Sequence, residues 1–346
     1  MPDKPPPLIP ILDRPFNAET PLPLLAAPIT PTESVFVRSH FDVPAINPDT
    51  YSLTLDGLVG NPLRLTLADL QKIPTVSILL TTECAGNGRT SLNPRPAGVA
   101  WGFGAVSTIR YTGVPLKKIL DLASPGRALE VIFTAADSGN VDGQPVTFAR
   151  SLPLAIARLP DTLLAWSMND APLTPAHGAP LRLIVPGWYG MASVKWLTRI
   201  TLTTELFTGH FQHNDYVYLR QQGLPDGTPV TLMRVRSVIA SPSDGATLPK
   251  APIEITGAAW SGDGEIRKVE LSTDDGRTWQ QATLQPPTSD RAATGWKHSW
   301  TPIASGPHTL IARATDAAGN TQPLDPVWNL RGYGNNSVQK INVTIV

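Results

Sequence analysis

A proline falls about once in every ten residues of this chain, 36 in 346, and that spacing excludes a fold built on long helices. Each proline lacks a backbone N–H and fixes φ, so it ends helices and is confined to the edges and ends of strands. The expectation is therefore many short elements joined by ordered loops. A chain of this length also exceeds what one hydrophobic core usually organises, which makes two domains the starting point.

Punctuation along the chain fits that picture. Residues 1–32 are proline-rich and read as an extended N-terminal extension that wraps or trails the first domain. Residues 34–41 alternate like a strand, with Arg38 and His40 on one face. Tyr51, Leu53 and Leu55 give a second alternation that ends at Asp56-Gly57. Thr66 is placed to cap a short helix over 67–73 that Pro74 stops, and Pro115 suits the first turn of a helix running to Ala123. Residues 129–134 and 181–185 read as buried strands, and 152–159 as one or two helical turns. Residues 221–227 read as a linker. Beyond it, short β runs recur at 253–256, 268–272, 278–282, 308–313 and 341–345, and Asp274-Asp275-Gly276 is a hairpin signal. About 115 residues of this kind predict an immunoglobulin-like β-sandwich without the cysteine pair of antibody domains. The fold class is α+β: a mixed α/β domain over 33–222, then the sandwich over 233–346.

The chemistry centres on Cys84, the only cysteine. It follows the apolar run 76–80 and opens the turn Cys84-Ala85-Gly86-Asn87-Gly88-Arg89, where two glycines permit backbone that other residues resist. A single cysteine otherwise packs as a small, inert hydrophobe. Here the turn is better suited to presenting the sulfur, and Arg89 five residues on favours thiolate. One cysteine excludes an intrachain disulfide framework and any all-cysteine zinc or iron–sulfur site. Without Cys-x-x-Cys-His there is no covalent c-type haem. Lys plus Arg balance Asp plus Glu at 28 each, so no net field draws in nucleic acid or an anionic membrane. No apolar run is long enough to span a bilayer. The N-terminus shows neither a continuous apolar stretch nor twin arginines, so the expected compartment is cytoplasmic, or periplasmic if an export signal has been removed.

Three further patterns compete for function. His210-x-x-His213-x-Asp215 has ligand-type residues close together but lacks a third or fourth partner for zinc. Cys84 with His40 or His177 would make a thiol hydrolase pair, since such partners need not be neighbours in sequence. A non-catalytic scaffold could use the sandwich for adhesion. Gly86-x-Gly88 is not a dinucleotide fingerprint, because the third glycine and the acidic residue are missing.

From about Phe36 to the C-terminus the chain resembles the sulfite oxidase family of molybdenum enzymes. The resemblance is carried by Glu83-Cys84-Ala85-Gly86-Asn87 with Arg89. It continues through Leu164-Ala165-Trp166-Ser167-Met168-Asn169, His177-Gly178, and Pro180-Leu181-Arg182 leading to Ser193-Val194-Lys195-Trp196. It closes with Ala259-Trp260-Ser261-Gly262 and Trp328-Asn329-Leu330-Arg331-Gly332. It implies a sulfite-oxidase-type molybdopterin domain followed by an Ig-like dimerisation domain. By this resemblance Cys84 is the thiolate ligand of molybdenum, a soft donor for that metal. Phe36, Val37, Arg38, Ser39, His40, Asp137, His177, Arg182, Ser193, Val194 and Lys195 match the molybdopterin contacts. Arg38, Arg89, Trp101, Tyr216 and Arg331 match the substrate pocket, where guanidinium groups suit an oxyanion. The implied reaction is oxidation of sulfite to sulfate, with electrons leaving to cytochrome c or oxygen, in a homodimer. A reductase of nitrate or sulfoxides on the same fold is the alternative. Two departures stand out: Gly88 replaces an arginine common in relatives, and the residues before Phe36 leave no room for the haem domain of animal members, so no haem is expected in this chain.

Overall fold

Short strands carry nearly all the regular structure, as the proline spacing requires. In the computed structural model, which describes residues 7–346, the longest α-helix is Leu116–Ala123. The first six residues of the proline-rich extension lie outside the described residues.

Two sheets build the first domain. One orders Ala171–Pro172, Leu163–Met168, Val106–Pro115 and Val76–Glu83 in antiparallel array, with Arg182–Ile184 also paired to Leu163–Met168. The other runs Leu63–Thr66, Ser52–Gly57, Leu197–Thr203, Glu130–Val141, Gln144–Pro153, and its second and third strands are parallel. Leu53 and Leu55, Val131 and Phe133, and Ile200 and Leu202 are all buried, so the period-two alternation of each strand faces one core. Thr66 caps the helix Leu67–Gln71 through a reciprocal pair with Asp69: Thr66 Oγ1 accepts from the Asp69 N–H at 3.2 Å, and the Asp69 carboxylate accepts from the Thr66 N–H at 3.1 Å. Pro115 is the residue before the helix Leu116–Ala123, not its first turn.

Residues 34–41 do not form the expected strand. Only Val37 finds a partner edge, through a single bridge to Ala18. Residues 34–37 are buried without interruption. The segment is clamped between the main sheet and the N-terminal residues, which form the strands Ile9–Leu12 and Asn17–Glu19 and put Leu25 into the core. Residues 221–227 belong to the loop that joins the two paired strands Val217–Tyr218 and Thr228–Pro229.

The C-terminal sheets are Arg236–Ser241, Ile253–Trp260, Thr294–Trp300 and Thr283–Leu284 in one, and Thr247–Leu248, Lys340–Ile345, Gly306–Asp316, Ile266–Ser272 and Gln280–Gln281 in the other. The expected strand 278–282 shrinks to Gln280–Gln281. The hairpin turn before it is fixed by Asp274, whose Oδ1 accepts from the N–H groups of Arg277 and Thr278 at 3.1 and 2.9 Å. The two domains share packing: Val238, Ala258, Trp260 and Tyr333 belong to the same apolar cluster as Leu53 and Phe133. A fully buried ion pair, Arg236 Nη1 to Glu83 Oε1 at 2.9 Å, crosses the junction.

Candidate active site

Cys84 follows the last residue of the strand Val76–Glu83, and its loop is held by backbone hydrogen bonds. The Cys84 N–H donates to Ala105 O at 2.8 Å, Asn87 N–H to Cys84 O at 3.0 Å, and Arg89 N–H to Gly86 O at 3.1 Å. The side chain is 6% exposed and packs with Phe36, Trp101 and Ala105. Two cavities meet there, and Arg38, Cys84 and Tyr216 line both.

The inner cavity is lined by Phe36, Ser39, His177, Arg182, Ser193 and Lys195 beside the sulfur. Its polar groups come from strand ends and irregularities. Asp137 lies where the pairing of Glu130–Val141 with Gln144–Pro153 breaks register between Thr134 and Ser138, and such bulges re-aim a side chain. Its Oδ1 is buried with no hydrogen-bond partner. Burial pushes its carboxyl up to about 6, against the pull of Lys195 and Arg38. Lys195 donates to Ser39 Oγ at 3.1 Å and Ala176 O at 2.8 Å and rests on the Trp196 ring. Burial and the neighbouring Arg182 push its ammonium well down. Lys195 passes over Gly178, where φ is +102° and a Cβ would lie 2.9 Å from that of Lys195, so only glycine fits.

His177 sits in the same wall. Its Nε2 is 3.3 Å from both Val35 O and Phe36 O, which places the ring proton on Nε2, and Nδ1 is 2.7 Å from the Thr174 hydroxyl. Burial, with Lys195 and Arg182, pushes it down to about 4. Arg182 donates to His177 O at 3.0 Å and Ser193 O at 3.1 Å, while its Nε is buried and unpaired. Ser193 Oγ accepts from the Val185 N–H. Val37 and Val194 do not line the cavity; the backbone groups of Val37 are taken by Ala18, and Val194 is packed in the core.

The outer cavity joins the domains. Arg89, Trp101, Asp215 and Arg331 line it with Arg95 and Tyr333. Arg89 is committed to backbone: Nε and Nη2 donate to Arg331 O at 3.1 and 3.0 Å, and Nη1 to Val99 O at 2.7 Å. Arg331 in turn pairs with Asp215 at 3.1 Å and donates to Asn214 O at 3.1 Å. Tyr333 donates to the same Asp215 oxygen at 3.2 Å and stacks on Tyr216. The Tyr216 hydroxyl is 2.7 Å from His40 Nε2. Burial pushes the phenol up; burial, then Arg38, Lys195 and Arg150, push the imidazole well down, so the pair is a protonated phenol beside a neutral ring.

Several expectations change here. Burial pushes the Cys84 thiol up, outweighing Arg38 and Arg89, so the protein alone does not favour thiolate. The hydrolase pair is not formed, because His40 bonds Tyr216 and His177 bonds Thr174 and two carbonyls. Among the described residues no group of three His, Cys, Asp or Glu side chains could hold a metal, and Asp215 of the His210–His213 pattern is paired to Arg331. The sequence marks Asp215 only as a ligand-type residue of the His210–His213 pattern, and it gives no sign of Tyr333 or Arg150 as site builders. Arg150 lies buried over the Tyr216 ring and burial pushes it down to about 10; nothing in its local sequence marks it.

The donor set fits a molybdopterin-type cofactor. The orphaned Asp137 Oδ1 and Arg182 Nε await polar partners, the cations Lys195 and Arg182 await an anion, and a soft sulfur stands at the mouth. A family model described as the oxidoreductase molybdopterin binding domain matches residues 40–211, and the Mo-co oxidoreductase dimerisation domain matches 228–346. The chain is 36% identical to mitochondrial sulfite oxidase of Rattus norvegicus, covering 96% of this chain and 65% of that one. It is 32% identical to sulfite oxidase of Arabidopsis thaliana, covering 95% and 91% respectively. The solved sulfane dehydrogenase SoxCD of Paracoccus pantotrophus superposes with a TM-score of 0.83 at 29% identity, covering 94% of this chain and 83% of that one. The chain thus spans less than two thirds of the rat relative's length. Among the described residues no helix is long and apolar enough to cross a membrane.

Proposed function

The chain belongs to the sulfite oxidase family, and from that premise we propose that it oxidises sulfite to sulfate and passes the electrons to an external acceptor, cytochrome c or oxygen. The observation that carries the reading is the position of Cys84 at the meeting of an inner cavity suited to a cofactor and an outer cavity lined by arginines. Molybdenum held by molybdopterin would supply the two-electron redox chemistry and oxygen transfer; the protein supplies position, charge and protons. Cys84 would be its protein ligand. Ser39, His177, Arg182, Ser193 and Lys195 would hold the pterin and its phosphate, with Asp137 bonding the pterin ring, while Phe36 walls the cavity beside the sulfur.

In the outer cavity Arg38, Arg89 and Arg331 set a positive field for sulfite, an anion with planar oxygen pairs. Among the described residues Arg38 makes hydrogen bonds through Nη1 alone, to Ser39 O and Asn17 Oδ1, and so keeps donors for substrate. Trp101 closes the back wall and excludes water. Tyr216 holds its proton beside neutral His40 and is placed to move it as charge changes in the pocket. The family resemblance and the match over 228–346 support a homodimer through the sandwich.

Protein produced in a host that makes molybdopterin tests the reading: about one molybdenum per chain, reduced by sulfite, with reoxidation followed against cytochrome c, oxygen and ferricyanide. Reduction of nitrate or sulfoxides with no oxidation of sulfite would move the assignment within the fold. Absence of molybdenum would end it.

A further inference from the structure

The metal-ligand loop is gripped from the other domain. Glu83, which directly precedes Cys84, is 1% exposed, and each of its carboxylate oxygens is claimed by the sandwich. Oε1 accepts from Arg236 Nη1 at 2.9 Å, on the strand Arg236–Ser241, and Oε2 accepts from Trp260 Nε1 at 2.9 Å, on the strand Ile253–Trp260. Oε1 also accepts from Asn87 Nδ2 at 2.9 Å, so the carboxylate ties the start of the loop to its middle. The same Arg236 Nη1 donates to Asn87 O at 3.1 Å and Asn335 O at 2.8 Å. Asn335 returns to the loop, donating to Gly88 O at 2.8 Å.

Gly88 shows how closely the guanidinium is fitted. Its φ is +79°, and a Cβ there would lie 2.3 Å from Arg236 Nη2. The loop passes over the guanidinium so tightly that no side chain can stand at position 88 while Arg236 is in place. Cys84 is thereby bracketed: Glu83 before it and Asn87 after it are bonded directly by one buried cation from the sandwich, and Gly88 is held through Asn335, which the same cation bonds.

We propose that Arg236 is the positioning residue of the Cys84 loop, holding the sulfur's backbone through Glu83, Asn87 and Gly88, so that the sandwich sets the geometry of the ligand as well as packing against the domain that carries it. The proposal rests on Cys84 as the ligand only in its second test; its first needs no metal. Because Cys84 is the chain's only cysteine, a thiol reagent reports on this loop and nothing else.

The full-length chain is produced free of cofactor and its labelling by 5,5′-dithiobis(2-nitrobenzoate) is timed well below the unfolding transition. Arg236→Gln should label at least tenfold faster than wild type. Ile255→Ala, which opens the sandwich's own core, serves as the control that destabilises without touching the loop, and should label faster only in step with its lowered melting temperature. In cofactor-loaded protein, Arg236→Gln should also shift the electron paramagnetic resonance spectrum of one-electron-reduced molybdenum, which Ile255→Ala should leave in place. Should Arg236→Gln fail to fold, Trp260→Phe decides: it keeps an aromatic side chain but removes the N–H on Glu83 together with the five-membered ring, and should speed labelling at least twofold beyond what its lowered melting temperature accounts for. Labelling that tracks global stability in the same way for the loop variant and the control, or an unchanged Trp260→Phe, overturns the proposal and leaves Arg236 a brace between domains. Loss of the molybdenum reading alone would remove the spectroscopic arm and leave the labelling result standing.

Discussion

Asp137→Asn in the cofactor-free chain should stabilise the protein at pH 8 and change it little at pH 4. The carboxyl is 4% exposed, its Oδ1 has no partner, and burial raises it from 3.8 to about 6. A raised native pKa means that the folded state keeps a proton the unfolded chain releases, so stability falls as pH climbs from about 4 to about 6 and the full penalty is present above that. At 1.36 kcal/mol per pH unit the penalty at pH 8 is about 3 kcal/mol, and at pH 4 only about 0.5 kcal/mol. Asparagine removes the charge while keeping size and a hydrogen-bonding end, so the gain at pH 8 should exceed that at pH 4 by about 2–3 kcal/mol. At about 2.1 cal/mol/K of unfolding entropy per residue this is roughly 3–4 °C in a chain of 346 residues. Thermal melts of both proteins at the two pH values give the comparison directly. His177, lowered to about 4, titrates in both proteins and drops out of the difference. An equal shift at both pH values, or a loss at pH 8, would refute the assignment of a carboxylate whose burial outweighs the pull of Lys195 and Arg38. In loaded protein the sign should invert, since the cofactor is proposed to be the missing partner of Oδ1, and Asn should then retain molybdopterin less well on gel filtration.

Other outcomes follow from the same geometry. Cys84→Ser should fold with a near wild-type melting temperature and lose sulfite oxidation; unchanged turnover would end the thiolate reading. Arg331→Met should keep molybdenum and dimer but raise the KM for sulfite at least tenfold, because a hydrogen bond to a charged group is worth ~1.5–3 kcal/mol; a wild-type KM and wild-type reduction in stopped flow would make Arg331 a junction brace. Tyr216→Phe should lower kcat by roughly a hundredfold, in the range of lost acid–base assistance, and steady-state rates across pH would expose any smaller role. Sedimentation at micromolar concentration should show a two-fold homodimer formed through residues 233–346, and a monomer alone would count against that interface.

Local chemistry was legible in the sequence, and long-range commitment was not. Thr66 declares a capped helix, and Asp274-Asp275-Gly276 declares a turn, because the partners are neighbours. The sandwich could be read from punctuated strands, and the sulfur loop from its glycines and lone cysteine. The alternation over 34–41 suggests a strand, but what decides the matter is whether a partner edge is available, and Val37 alone finds one, in Ala18. Arg89 was read as a charge acting on Cys84, yet its guanidinium is taken by Val99 and by Arg331, 242 positions away. Arg150 and Tyr333 carry no local mark at all; only the folded chain brings them against Tyr216.

That long-range commitment determines how the outer cavity can bind an anion. Of the arginines lining it, Arg89 gives its donors to carbonyl groups and Arg331 is paired with Asp215, whereas Arg38 makes hydrogen bonds through Nη1 alone and Arg95 stands exposed at the rim with no side-chain partner among the described residues. The positive field therefore comes from four guanidinium groups, but the free donors come chiefly from Arg38, beside Cys84. A substrate oxygen would displace little protein structure in reaching Arg38, and would have to compete with Asp215 to reach Arg331. Holding Arg331 with a carboxylate before substrate arrives fixes its position and moderates its attraction for a product dianion as well as for the substrate. The Arg89–Arg331–Asp215–Tyr333 chain then couples the sulfur loop to Tyr216 through groups drawn from both domains, which is why neither domain by itself contains the whole pocket.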